Sequence, residues 1–163
     1  MSCIHSALEV GVDDIYIIAI IEGTNIDLRL RDSDGNTAFH FAIIKRRTII
    51  ARKMLEKDPG ITVIPNKNGV LPLHSACEEL SLITMFFSPS NLNLTKTMFN
   101  IRDNNGFTPL ELACRYRTKM GVLLFLKHGS RTNNKIYSDR ISHYIKLYKK
   151  FRESKKVVSR TLF

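Results

Sequence analysis

What this 163-residue chain has little of narrows its class before any motif is read. Eight glycines and five prolines are too few for a collagen-like or low-complexity chain, and 44% hydrophobic residues are too many for a wholly disordered one. The longest strictly apolar run, Ile15 to Ile21, has seven residues, where a spanning helix needs roughly twenty. The first ten residues, MSCIHSALEV, lack the basic stretch and long apolar stretch of a secretory signal. There are three cysteines, Cys3, Cys77 and Cys114; an odd number cannot close into a full disulfide framework, and no C-x-x-C pair suggests zinc or thiol redox chemistry. These absences lead us to expect one domain with reduced thiols, cytoplasmic or nuclear, away from membranes.

Catalytic signatures are missing as well. No phosphate-cradling glycine loop, H-E-x-x-H, G-x-S-x-G or paired-carboxylate arrangement occurs. The acidic doublets Asp13-Asp14 and Glu78-Glu79 read as solvated charge at helix starts and on inner helices. The expectation is a protein that is not an enzyme, with no catalytic residue, no metal and no cofactor. Acidic residues are scarce toward the carboxy terminus. The chain carries +10 overall, but residues 1–130 hold 15 basic and 13 acidic residues, net +2, and residues 131–163 hold 10 and 2, net +8.

What the chain does have is a repeat. Ile4-His5-Ser6-Ala7, Phe39-His40-Phe41-Ala42, Leu73-His74-Ser75-Ala76 and Leu110-Glu111-Leu112-Ala113 share an apolar-His-x-Ala pattern, with Glu in the last; positions 5, 40, 74 and 111 are 35, 34 and 37 apart. Upstream of the last three, Gly35, Gly69 and Gly106 each stand five residues before the His or its equivalent, inside Asp32-Ser33-Asp34-Gly35, Asn66-Lys67-Asn68-Gly69 and Asp103-Asn104-Asn105-Gly106. Such sequences are turn-forming, because glycine supplies a positive φ without a side-chain clash. Helical periodicity follows each Ala: Ile15, Ile18 and Ala19 within 13–22, then Ile50, Met54 and Leu55 within 49–55. The repeating unit is turn, short helix, loop, second helix.

The fullest copy, D-N-N-G-F-T-P-L-E-L-A-C from Asp103 to Cys114, leads into VLLFLKHGS. It resembles the ankyrin repeat, whose pattern is D-x-x-G-x-T-P-L-H-x-A-A followed by a second helix and a glycine-containing exit. The resemblance spans roughly residues 3–133, with Gly11 and Gly23 where the first copy's loop and exit glycines belong. It implies an all-α solenoid of helix-turn-helix units joined by hairpin-like turns, with copies near 1–31, 32–65, 66–102 and 103–133 forming an array over 1–133. Residues 134–163 read as a capping helix with a basic outer face, carrying Ile141, Tyr144, Ile145, Tyr148 and Phe151 at helical spacing, then a frayed tail from Ser154. SPSNLNLTKT, 88–97, reads as an insertion looping out of the stack. Ala38 stands where the family has Pro, and Leu71 where it has Thr. A looser start to the first helix is expected in those copies, since Pro at the first helical position pre-sets φ.

The resemblance also distributes roles. His5, Gly35, Thr37, His40, Gly69, Pro72, His74, Gly106, Thr108 and Pro109 become structural repeat residues, the histidines hydrogen-bonded to neighbouring turns. Cys77 and Cys114 follow the helix Ala at a small, buried position, and His128 before Gly129 suits a helix carboxy terminus. Partner-binding candidates are the variable tip residues Ser33, Asp34, Asn36, Lys67, Asn68, Val70, Asn104, Asn105 and Phe107. On the first helices the candidates are Glu9, Val10, Ile44, Lys45, Glu78, Glu79, Arg115 and Tyr116. Phe107, Arg115 and Tyr116 belong to types enriched in interface hot spots. The family implies a monomeric scaffold that binds or inhibits a folded intracellular protein, in the manner of IκB-like proteins or cyclin-dependent kinase inhibitors. Ile- and Asn-rich usage suits an AT-rich genome, such as that of a virus or intracellular pathogen, whose protein would act in a host cell. The competing reading is a nucleic-acid-associated regulator that uses the basic carboxy-terminal tail, with Lys45-Arg46-Arg47 as a further basic patch.

Overall fold

The computed structural model describes residues 2–88, 97–131, 137–146 and 149–150. Four antiparallel helix pairs stack in sequence order: α1 Cys3–Val10 with α2 Asp14–Gly23, α3 Ala38–Ile44 with α4 Thr48–Lys57, α5 Pro72–Ser75 with α6 Leu80–Phe86, and α7 Pro109–Arg115 with α8 Lys119–Lys127. A 3-10 turn, Pro59–Val63, follows α4, and another, Ala76–Glu78, continues α5. The first helices form an inner row, α1 on α3, α3 on α5 and α5 on α7; the second helices form an outer row, α2 on α4, α4 on α6 and α6 on α8. This is an all-α, solenoid-like architecture. Among the described residues, the one pairing of strand type is an isolated bridge, Arg31 to Thr37, across the turn before α3.

Each turn before an inner helix is tied by one acidic or amide side chain. Asp32 Oδ1 accepts the Asp34 and Asn36 N–H groups at 2.9 and 2.8 Å. Asn66 Oδ1 does the same for Asn68 and Val70 at 2.9 and 3.0 Å, and Asp103 Oδ1 for Asn105 and Phe107 at 3.0 and 2.8 Å. The turns then bond to one another. Lys67 N–H donates to the Asp34 carbonyl and Asn104 N–H to the Asn68 carbonyl, both at 3.0 Å. Gly35 sits here with φ +80°, and a Cβ on it would lie 2.8 Å from the Lys67 backbone nitrogen. Only glycine satisfies both the turn and the close approach.

Apolar side chains from both rows form one continuous core, with Phe39, Ile50, Met54, Ile83, Phe86 and Phe125 fully buried. Phe39 reaches across to Phe86 at 6.0 Å between ring centroids, so the second and third units are joined through aromatic packing. On either side of residues 89–96 the chain is anchored: Phe87 and Phe99 stack at 5.2 Å, and both rings pack on Phe125. Of the expected insertion 88–97, residues 89–96 lie outside the described residues. Residues 137–146 are helical, with Ile141 buried and Tyr137, Tyr144 and Ile145 packed against the core. Tyr148, Phe151 and the tail from Ser154 also fall outside the described residues.

The two departures from the family pattern have different outcomes. With Ala38 in place of Pro, α3 still runs seven residues, and Thr37 sits at its start with a β-region backbone. With Leu71 in place of Thr there is no hydroxyl to meet the first turn, and α5 is four residues long before the 3-10 turn takes over. The outer helix begins eight residues after His40 and eight after Glu111, but six after His74.

Candidate interaction surface

The repeat histidines are structural connectors. The Nε2 of His5 donates to the Asn36 carbonyl at 3.0 Å, that of His40 to Val70 at 3.1 Å, and that of His74 lies 3.1 and 3.2 Å from the Ile101 and Phe107 carbonyls. On the other side of each ring, Nδ1 accepts the backbone N–H three residues upstream, from Ser2, Thr37 and Leu71. This arrangement fixes the neutral tautomer with its proton on Nε2. Burial pushes His40 down to about 4 and also lowers His74, because the imidazolium would lose its hydration. Glu111 occupies the fourth position, fully buried; its carboxylate accepts the Thr108 N–H at 3.1 Å and meets Arg102 at 3.1 Å. Each histidine is thus the bond from one unit to the next unit's turn, and the fourth unit carries a different residue type there.

Cys77 and Cys114 are buried free thiols. Burial raises both, Cys114 to about 12, which keeps them protonated and poor nucleophiles. His128 rests on the Phe87 ring, 5.0 Å between centroids. Among the described residues, no group of three or more His, Cys, Asp or Glu side chains is placed to hold a metal ion.

The tip candidates divide by geometry. Asn36 accepts from the Asn66 amide at 2.9 Å, and the Asn104 amide donates to the Lys67 carbonyl at 3.2 Å, so these side chains are engaged by neighbouring turns. Ser33, Asp34, Lys67, Asn68 and Asn105 are exposed along the tip edge. Glu9 and Val10 are exposed at the end of α1, and Lys45 at the end of α3.

The remaining candidates converge. Val70, Glu78, Glu79, Asn105, Phe107, Arg115 and Tyr116, with Ile44 and Arg46, line a cleft of about 680 Å³ on the inner-helix face of the second to fourth units. The short α5 and its 3-10 turn contribute His74, Ser75 and Glu78 to the lining, and Glu79 follows them. Arg115 lies over the Phe107 ring at 5.4 Å, a cation–π contact that holds both side chains in place. Burial and the neighbouring Glu78 carboxylate raise Tyr116, keeping its phenol protonated as a donor. Arg46 bridges the cleft's rim, 3.5 Å from Glu78 and 3.8 Å from Glu79. A half-buried aromatic, an exposed phenol and both charge signs on one concave surface suit a polypeptide with apolar and charged side chains. Sequence reading placed Arg46 only in a basic patch and did not anticipate the cleft; the six-residue spacing from His74 to α6 is the structural feature that marks it.

A stack of helix pairs joined by Asx-glycine turns and histidine bridges is the architecture of ankyrin repeats. The comparisons agree with that class. No protein-family model matches the chain. It is 26% identical over 111 residues to a putative ankyrin repeat protein of Acanthamoeba polyphaga mimivirus, covering 66% of this chain and 14% of that protein. It is 24% identical over 130 residues to a putative ankyrin repeat protein of Fowlpox virus (strain NVSL), covering 76% of this chain and 16% of that one. Among solved structures it is similar to the ankyrin repeat domain of Bcl-3, a member of the IkappaB protein family, with a TM-score of 0.65 at 17% identity, over 82% of this chain and 59% of that one. The chain spans about one-seventh of the length of these curated relatives. No described helix is long and apolar enough to cross a membrane.

Proposed function

We propose that this chain is a non-enzymatic protein-binding module that holds a folded partner on its concave face, centred on the cleft formed by Glu78, Glu79, Phe107, Arg115 and Tyr116. The observation that carries the reading is the cleft's position: it opens where the third unit departs from its neighbours, and it brings Glu78, Arg115 and Tyr116, which the repeat pattern does not require, beside Phe107. The two relatives named above are viral proteins, which supports a host-cell protein as the partner class. Solenoids present such surfaces because each unit packs only on its neighbours and leaves its inner face free.

The test is affinity capture from cell extract with nuclease at moderate salt, comparing the intact chain with a Phe107→Ala, Arg115→Ala, Tyr116→Ala variant and with a chain truncated after Phe151. The captured protein is then titrated against each purified chain. Loss of roughly a hundredfold or more in affinity for the triple variant, with the truncated chain unchanged, is expected of hot-spot residues. A partner retained by the triple variant, or material lost on nuclease treatment and on truncation, would overturn the reading in favour of tail-mediated nucleic-acid binding. Inserting two residues between Cys77 and Leu80, to match the neighbouring loops, should weaken the same partner by about tenfold while leaving the unfolding midpoint near its original value.

A further inference from the structure

Opposite the glycine turns, the stack has a second edge, made by the four loops that join each inner helix to its outer helix. Bonds between successive loops make this edge continuous. Arg47, in the second loop, donates to Asp14 and to the Val12 carbonyl of the first. Arg46 pairs with Glu78 and Glu79 of the third, and Thr118 in the fourth donates to the Cys77 carbonyl at 2.7 Å.

The charge along this edge alternates loop by loop. The first carries Glu9, Asp13 and Asp14, and the second Lys45, Arg46 and Arg47. The third carries Glu78 and Glu79, and the fourth Arg115, Arg117 and Lys119. Bridges within the chain account for part of this pattern, through Arg46, Arg47 and their partners. They leave Glu9, Asp13, Lys45, Arg117 and Lys119 with no ion pair among the described residues. Beside the charges runs an apolar row at the start of each outer helix: Ile15 is 71% exposed, Ile49 60%, Leu80 37% and Met120 55%. Isolated exposed apolar residues are ordinary, but an exposed apolar side chain at the first or second residue of the outer helix in all four units is a row.

An order of minus, plus, minus, plus is complementary to itself when reversed. Turned end for end, the first loop meets the fourth and the second meets the third, each acid facing base, while the apolar rows face one another. Parallel, in-register pairing would set like on like. We propose that this loop edge binds the same edge of a second copy of the chain, in antiparallel register about a two-fold axis, in place of the monomer the family resemblance implies. A two-fold contact is isologous and closes on itself, whereas a parallel contact shifted by one unit would remain open-ended. The cleft shares Arg46, Glu78, Glu79 and Arg115 with this edge, so the second copy and a partner in the cleft draw on the same side chains.

The test needs no partner protein, so its failure is separate from failure of the cleft reading. The mass of the intact 163-residue chain is measured by light scattering and sedimentation across micromolar concentrations, at low and high salt. Twice the chain mass, weakened by salt, is expected; a single-chain mass throughout, or a ladder of larger species, would overturn the proposal. Arg117→Asp with Lys119→Glu should weaken association about tenfold by setting acid against acid, Asp being tolerated at the left-handed φ of +60° that Arg117 adopts. Adding Glu9→Lys and Asp13→Lys to the same chain should restore it, because the first loop faces the reversed fourth loop of the other copy. Folding of each variant is followed by circular dichroism. Failure of the folded four-residue swap to restore association, or a wild-type dimer indifferent to salt, would rule out the antiparallel register.

Discussion

The second and fourth units start from nearly the same turn, Asp32-Ser33-Asp34-Gly35 and Asp103-Asn104-Asn105-Gly106, tied by the same aspartate bonds. They differ in what lies beyond them. Gly35 is pressed against Lys67 of the next turn, and His40 reaches forward to Val70; among the described residues Gly106 has nothing within 4 Å of where a Cβ would stand, and Glu111 takes the place of the histidine. A residue's local conformation in this stack is therefore set by its own unit, while its energetic weight is set by whether another turn follows.

The largest effect that would break this comparison comes from acid. His40 titrates near 4 in the folded chain and near 6.5 once unfolded, so the unfolded chain binds the proton more readily. Stability is complete above the unfolded value and falls as the pH drops from about 6.5 to about 4, by up to about 3 kcal/mol from this residue. His40→Gln should flatten that slope, read as urea midpoints across the same pH window. An unchanged slope would place the acid sensitivity elsewhere. Next come the glycines. Gly106→Ala should cost about 1 kcal/mol, the strain of a left-handed alanine. Gly35→Ala should cost about 1 kcal/mol more, because its Cβ meets backbone at 2.8 Å. Equal losses in urea unfolding would mean the turns do not constrain each other. The smallest effect sharpens the contrast between the fourth and third units. Thr108 accepts the Glu111 N–H through its hydroxyl at 3.3 Å, and Thr108→Ala should cost about 1 kcal/mol and speed hydrogen exchange at the Glu111 amide, giving α7 a start like that of α5.

Most of the fold was legible in the sequence, because repeats state their own boundaries. The Asx-glycine turns follow from residues recurring in register, and the family resemblance supplied the histidines' bonds to neighbouring turns and the burial of Cys77 and Cys114. The outer helices open within a residue or two of where periodicity put them, at Asp14 and Thr48. What was not legible depends on neighbours far along the chain. Ala76-Cys77-Glu78-Glu79 reads as ordinary helix, and only the placement of α6 against α4 and α8 reveals that the chain turns there by a 3-10 step. Asn36 and Asn104 look like free tip residues until the adjacent turn arrives to occupy their amides. The gathering of Phe107, Arg115 and Tyr116 with Glu78 needs two units at once, so no single copy of the repeat could announce it.

The short loop of the third unit has a consequence for how such a surface arises. New binding sites are commonly imagined as added side chains on a finished scaffold. Here the concavity coincides with two fewer residues than the neighbouring loops have, in a unit whose buried Leu73, Ala76 and Cys77 still pack as its neighbours do. A small in-frame deletion, tolerated because each unit leans only on the next, can open a recess without altering a single contact residue. In a repeat array, recognition can originate by subtraction, with substitutions on the rim following afterwards.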